Sequence, residues 1–173
     1  MSLSVEEKVR VALVLDNLGI PFIEAGFPAS NPKEEELFER LAGERFSADV
    51  CAFGMTRRRD VGADEDPALR LLASSFAPVC TLVGKTWSLH LEKVVRVDPE
   101  ENLRMIADSV AFLVGQGKRV IYDAEHFFDA WRTDRDYALR CVRAAYEAGA
   151  ENVTLCDTNG ACLLYTSPSP RDS

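Results

Sequence analysis

Along the chain, short β-rich apolar runs alternate with longer stretches in which apolar positions recur every three or four residues. Ser4 with Glu7 three residues on forms a capping box, and Val5, Val9, Ala12 and Leu13 share one face of the helix it opens. Gly19 stops that helix and Pro21 keeps it from resuming. The run Phe22-Ile23-Glu24-Ala25-Gly26 reads as the first strand. Asn31-Pro32, Asp66-Pro67 and Asp98-Pro99 each place a side-chain cap before a proline at the first helical position. The third of these helices is the strongest, with Leu103, Ile106, Ala107, Val110, Leu113 and Val114 in helical period. Further strands are expected at 49–53, 79–83, 119–123 and 152–156, with a last helix over about 134–148.

Strands that alternate with helices pair in parallel, because each helical crossover returns the chain to the same edge. The strands read as nearly continuous apolar runs, the pattern of a sheet covered on both faces. Two architectures remain: an open doubly wound sheet, or part of a (β/α)₈ barrel. No GxGxxG or GxxxxGK[ST] follows the first strand, which removes support for the nucleotide-binding open sheets. Polar residues gather at or just beyond strand ends: Glu24, Arg57 to Arg59, Lys85 to His90, Glu125-His126 and Asp157-Thr158-Asn159. That rim is where parallel α/β proteins bind ligands, and it favours the barrel.

Composition narrows the partners. The 173 residues are 47% hydrophobic and 28% charged, the balance of a folded domain. Twenty Lys and Arg against 28 Asp and Glu leave a net charge of −8, the wrong sign for a nucleic-acid binder. No apolar run approaches a membrane span, and no basic-plus-apolar leader is visible, so a cytoplasmic protein with no membrane partner is expected. The five cysteines form no CxxC pair and read as reduced thiols.

Five strand-end segments together resemble one family: IEAGFPASNP (23–32), AFGMTRR (52–58), GKTWSLH (84–90), YDAEHFFD (122–129) and CDTNG (156–160). In order and spacing they are similar to the barrel of the citramalate synthases, a branch related to the 2-isopropylmalate and homocitrate synthases and to the metal-dependent barrels of the HMG-CoA lyase type. The resemblance implies an α/β partial TIM barrel over residues 1–161, about strands 2 to 6 of 8. It implies an acyltransferase that condenses acetyl-CoA with pyruvate to give citramalate and CoA for isoleucine synthesis. The intact enzyme would be a homodimer using a divalent metal (Mg, Mn or Zn). The family's metal ligands, an Asp of an Arg-Asp-Gly motif and a His-x-His pair, belong to strands 1 and 7, so no metal ligand is expected here. The chain by itself is therefore expected to be inactive. Residues 162–173, with prolines and serines but no helical period, read as a non-native, adapter-like, disordered tail.

The same resemblance suggests roles, each beside a plainer reading. Glu125 takes the catalytic position, taking a proton from the acetyl methyl group or managing charge beside the enolate; otherwise it orients water or a histidine. Glu24 matches the carboxylate that holds the family's catalytic Arg; otherwise it is a structural carboxylate binding nearby backbone. His90 lines the keto-acid pocket or serves as a structural hydrogen-bonding residue. Thr158 binds the keto-acid carboxylate or merely belongs to a turn. Arg57 binds anionic substrate or CoA phosphates, or lies on a solvated loop. His126 has less support and packs outside the site in the plainer reading. A 2-isopropylmalate or homocitrate synthase remains the rival enzyme, and a non-catalytic half-barrel or binding module the rival of another class.

Overall fold

A computed structural model describes residues 3–160 of the chain. The tail expected at 162–173 lies outside the described residues. The elements run α1 (Val5–Asn17), β1 (Phe22–Gly26), α2 (Pro32–Ala42), β2 (Asp49–Met55), α3 (Pro67–Ser74), β3 (Val79–Lys85), α4 (Ser88–His90) with a π-type turn at Leu91–Val95, α5 (Pro99–Gly115), β4 (Arg119–Glu125), α6 (Phe127–Thr133), α7 (Arg135–Glu147) and β5 (Asn152–Leu155). The expected caps are in place. Ser4 and Glu7 close a reciprocal capping box, and Asn31, Asp66 and Asp98 each accept from first-turn N–H groups.

The five strands form one parallel sheet in the order β1-β2-β3-β4-β5. A doubly wound sheet reverses direction midway so that helices cover both faces. Here each strand lies beside its sequence neighbour, and the order never reverses. That is the winding of a barrel wall.

One expectation needs correction. Both faces are buried only over the first halves of β2 and β3, whereas toward their C-terminal ends, and along all of β4, burial alternates. In β3 and β4, Cys80, Leu82, Val120, Tyr122 and Ala124 are fully buried in one core with Leu72 of α3, Ile106, Val110 and Leu113 of α5, and Ala138 and Cys141 of α7. The opposite phase carries Thr81, Val83 and Lys85 beside Ile121, Asp123 and Glu125. Only apolar residues under the helices and mixed ones on the inner face satisfy this geometry, and the continuous-run reading had merged the two phases.

Helix α5 also sits differently from its expected apolar stripe. Val114 is exposed, whereas Asn102 and Ser109 are buried. Ser109 Oγ donates to the Met105 carbonyl at 2.6 Å, and Asn102 Nδ2 donates to the Lys85 carbonyl at 2.7 Å, while Asn102 Oδ1 is buried without a hydrogen-bond partner among the described residues. A second, smaller core joins α1 and α2 to β1 through Val5, Val9, Ile23, Leu37 and Leu41.

Close packing under β3 depends on a glycine. A Cβ on Gly84 would lie 2.3 Å from Tyr122 Oη and 2.6 to 2.8 Å from its ring carbons. Tyr122 is completely buried and has nowhere to move. Gly84→Ala should therefore cost about 1–3 kcal/mol in urea unfolding. Gly115→Ala, where nothing lies within 4 Å, should instead be neutral or stabilising by about 0.5–1 kcal/mol.

Candidate functional site

Because Lys85 and Glu125 end the inner-face phase of neighbouring strands, parallel register sets them side by side. Lys85 Nζ lies 2.5 Å from Glu125 Oε2, with the two side chains only 13% and 24% exposed. From the helix side, Asn102 donates to the Lys85 carbonyl and, at 2.8 Å, to Tyr137 Oη. The end of β3 is thus held from both faces of the sheet.

The chain then turns through α4, which carries His90, while His126 directly follows β4. The two imidazoles meet edge to face, with ring centroids 4.6 Å apart at 84°. Trp87 packs beside both, 5.3 Å from His90 and 5.6 Å from His126. Desolvation, followed by His126 and Lys85, holds the His90 pKa below the ordinary imidazole value, against the pull of Glu125 and Asp129. That environment favours the neutral ring of His90. Thr158, in the loop after β5, accepts the His126 N–H on Oγ1 at 2.9 Å. Its own hydroxyl proton remains available to donate.

The structure therefore brings His90, Glu125 and Thr158 to one mouth, at the C-terminal ends of β3, β4 and β5. It adds Lys85, and it places His126 at the centre of the group rather than outside it. An adjoining cleft of about 650 Å³ is lined by Phe27, Met55, Val83, Lys85 and Met105 among others. Glu24 lies apart from the mouth, on the exposed inner face of β1. Desolvation by the surrounding sheet, opposed by a Thr81 hydrogen bond and reinforced by the charge of Asp123, raises its carboxyl pKa above the usual range. Asp123 is raised as well, by desolvation, with a Thr154 hydrogen bond opposing.

Arg57, with Arg58 and Arg59, lines that adjoining cleft, but its guanidinium is already held by acidic partners. Its guanidinium is only 7% exposed and is held by Glu101 at 2.8 Å and by Asp108 through two nitrogens at 2.9 and 3.0 Å. Its backbone N–H donates to Ser109 Oγ at 2.8 Å. Arg57 ties the loop after β2 to α5 and leaves little of its donor fork for an anionic ligand. Neighbouring Arg58 reaches Asp66, the cap of α3.

Lys85 was visible in the sequence only as one member of a polar run. The signal that identifies it is phase: counting back by twos from Lys85 and Glu125 reaches Thr81 and Ile121, the register partners on the inner face. Cys156 sits half-buried after β5, and burial pushes its thiol up to about 11, which leaves little thiolate at neutral pH.

The described residues do not supply a metal site. No three His, Cys, Asp or Glu side chains among them are grouped so as to hold an ion, and the mouth's nearest such pair, His126 and Asp129, are bound to each other. No helix of the described residues is long and apolar enough to cross a membrane.

Comparison with known proteins identifies the family and the fold. The HMGL-like family model matches residues 1–166. The chain belongs to the HMGL-like family. An (R)-citramalate synthase from Sulfolobus acidocaldarius is 45% identical over 166 residues, covering 95% of this chain and 32% of its own length. A homocitrate synthase, AksA, from Methanopyrus kandleri is 34% identical, covering 94% of this chain and 38% of its own length. This HMGL-like chain thus spans about a third of the length of the curated relatives it matches. Among solved structures, the HMG-CoA lyase of Bacillus subtilis superposes with a TM-score of 0.73 at 16% identity, covering 97% of this chain and 60% of that one. At that identity the likeness concerns the fold, and it is the fold of a barrel wall.

Two outcomes follow. Arg57→Met should lower unfolding free energy by about 1–3 kcal/mol, because it strands Glu101 and Asp108 near the protein body; chemical denaturation at pH 7 measures this. Glu24→Gln should raise stability at neutral pH. With a folded pKa above the unfolded value, ionised Glu24 is a penalty that is present above the folded pKa and absent below about 4.5, the ordinary glutamate value. The gain should therefore disappear as thermal unfolding is repeated at falling pH.

Proposed function

We propose that the mouth at the ends of β3, β4 and β5 serves an acyltransferase that joins acetyl-CoA to pyruvate, giving citramalate and CoA. The observation that carries the reading is the convergence of Glu125, Lys85, His90 and Thr158 on one sheet end, in a chain 45% identical to an (R)-citramalate synthase. The reaction removes a proton from the acetyl methyl group, joins that carbon to the keto carbon and protonates the keto oxygen. Water then cleaves the thioester and the thiol leaves.

Glu125 is the group for the methyl proton or for charge beside the enolate, since it is a carboxylate at the mouth. Lys85 sets a positive charge next to the position where enolate charge develops. Neutral His90 offers a hydrogen bond to the keto oxygen, and the Thr158 hydroxyl donates to the carboxylate of the keto acid. The adjoining cleft gives the acyl donor a place beside Lys85. Glu24, on the same inner face, holds a positively charged partner: its raised pKa marks a carboxylate that lacks charge compensation among the described residues. Arg57 acts as a brace for the β2 loop rather than as a ligand of the substrate. A divalent metal, acetyl-CoA, a homodimeric assembly and a cytoplasmic location belong to the same proposal, through the resemblance to the citramalate synthases.

The test is a chimera in which residues 3–160 replace the matching segment of the Sulfolobus acidocaldarius enzyme. Pyruvate-dependent release of thiol from acetyl-CoA is expected, with 2-ketoisovalerate and 2-ketoglutarate poor substrates. Glu125→Gln in the chimera should lower kcat by about 10²-fold or more, the range typical of a positioned acid or base. A preference for 2-ketoisovalerate would make the segment that of a 2-isopropylmalate synthase, and a preference for 2-ketoglutarate that of a homocitrate synthase. A folded chimera with no turnover of any keto acid would leave the binding-module reading.

A further inference from the structure

One side chain at the mouth has a well-defined set of partners and no part in the chemistry above. Asp129, in the first turn of α6, accepts two hydrogen bonds on a single oxygen, from His126 Nδ1 at 3.1 Å and from Asn159 Nδ2 at 2.9 Å. It therefore joins the end of β4 to the loop after β5. An ionised carboxylate can only accept, so Nδ1 of His126 carries the hydrogen, and in the neutral ring Nε2 carries the lone pair.

His126 pays a conformational penalty to sit here. Its backbone is left-handed, with φ 55° and ψ 32°, although it has a Cβ. Such a conformation costs about 1–2 kcal/mol and persists where surrounding contacts enforce it. The contacts are specific ones. The His126 N–H is held by Thr158 Oγ1, its Nδ1 by Asp129, and its ring by the edge-to-face contact with His90 and by Trp87. The strained turn thus couples His90 and Thr158, which otherwise have no direct contact recorded between them, to one carboxylate.

We propose that Asp129 is a positioning residue that fixes the ring and tautomer of His126 and, through it, sets His90 and Thr158 in place for the keto acid. The last clause rests on the function proposed above, whereas the hold on His126 stands on the geometry alone. The charged and titratable groups facing the imidazole pair are Lys85 from β3, Glu125 from β4 and Asp129 from α6. Loss of the Asp129 charge removes one of the two carboxylates that favour a protonated His90.

The chain has two histidines, so both imidazoles can be followed by long-range ¹H–¹⁵N correlation in the full 173-residue chain, assigned with His90→Gln. In the wild type, neutral His126 is expected as the Nδ1–H tautomer. Asp129→Leu, which removes the acceptor, should convert it to the Nε2–H form and move the His90 titration to lower pH, while Asp129→Glu should keep the Nδ1–H form. Pyruvate added to the wild type should shift the Thr158 amide and the His90 ring, and Asp129→Leu should weaken that response about tenfold, the effect of losing one ordered hydrogen bond. A wild-type His126 in the Nε2–H form overturns the proposal, whether or not the variants fold. So does an Asp129→Leu protein whose imidazoles and pyruvate response match the wild type. An Nδ1–H tautomer that depends on Asp129, with no pyruvate response even in the wild type, supports the hold on His126 and overturns the keto-acid reading of the mouth.

Discussion

The ion pair between Lys85 and Glu125 is the constraint on which the rest of the mouth depends. It exists because two neighbouring strands keep the same phase: the positions before these residues, Gly84 and Ala124, face the helices, and Lys85 and Glu125 face inward. A slip of one residue in either strand would send one charged group into the helix-side core. There it would meet Leu82, Tyr122 and Ile106 instead of its partner, at a desolvation cost no hydrogen bond in that core offsets. Burial of the apolar phase and pairing of the charged phase therefore select the same register.

What the helix side contributes is rigidity at the point where chemistry is placed. Tyr122 fills the space that Gly84 leaves open, and Asn102 joins the Lys85 carbonyl to Tyr137 across α5 and α7. These contacts bury the base of each strand end, so that the side chains beyond are carried on fixed backbone. The inner face is built on different terms. Glu24 and Asp123 hold carboxyl groups whose pKa values desolvation raises, and His126 adopts a backbone conformation that residues with a Cβ avoid. Unfavourable features of this kind collect where function rather than stability sets the residue.

Much of this was legible in the sequence. The helix starts were written in Ser4, Asn31, Asp66 and Asp98, and the strand starts in the apolar runs, because capping and burial act locally. Glu125, His90 and Thr158 were identified as strand-end groups, and they meet. Less visible were the elements set by tertiary contact. Helix α6 begins at Phe127 immediately after a strand, with His126 in a left-handed turn instead of a side-chain cap, so no local stop or start marks it. The π-type turn after His90 likewise carries no capping side chain. The acidic partners of Arg57, Glu101 and Asp108, were not legible because they lie more than forty residues away along the chain. Val114 is exposed and Asn102 buried because tertiary contacts set the facing of α5: the Asn102 amide nitrogen bridges the Lys85 carbonyl and Tyr137, although its Oδ1 has no partner among the described residues.

A double-mutant cycle on Lys85 and Glu125, read by urea unfolding at pH 7, tests the central claim most directly. Lys85→Met and Glu125→Gln should each destabilise the chain, and the double variant should lose less than their sum, with a coupling of about 1–3 kcal/mol for a largely enclosed pair. Additive losses, with coupling within about 0.3–0.5 kcal/mol of zero, would mean that the two charges do not face each other and that the mouth is not assembled as described.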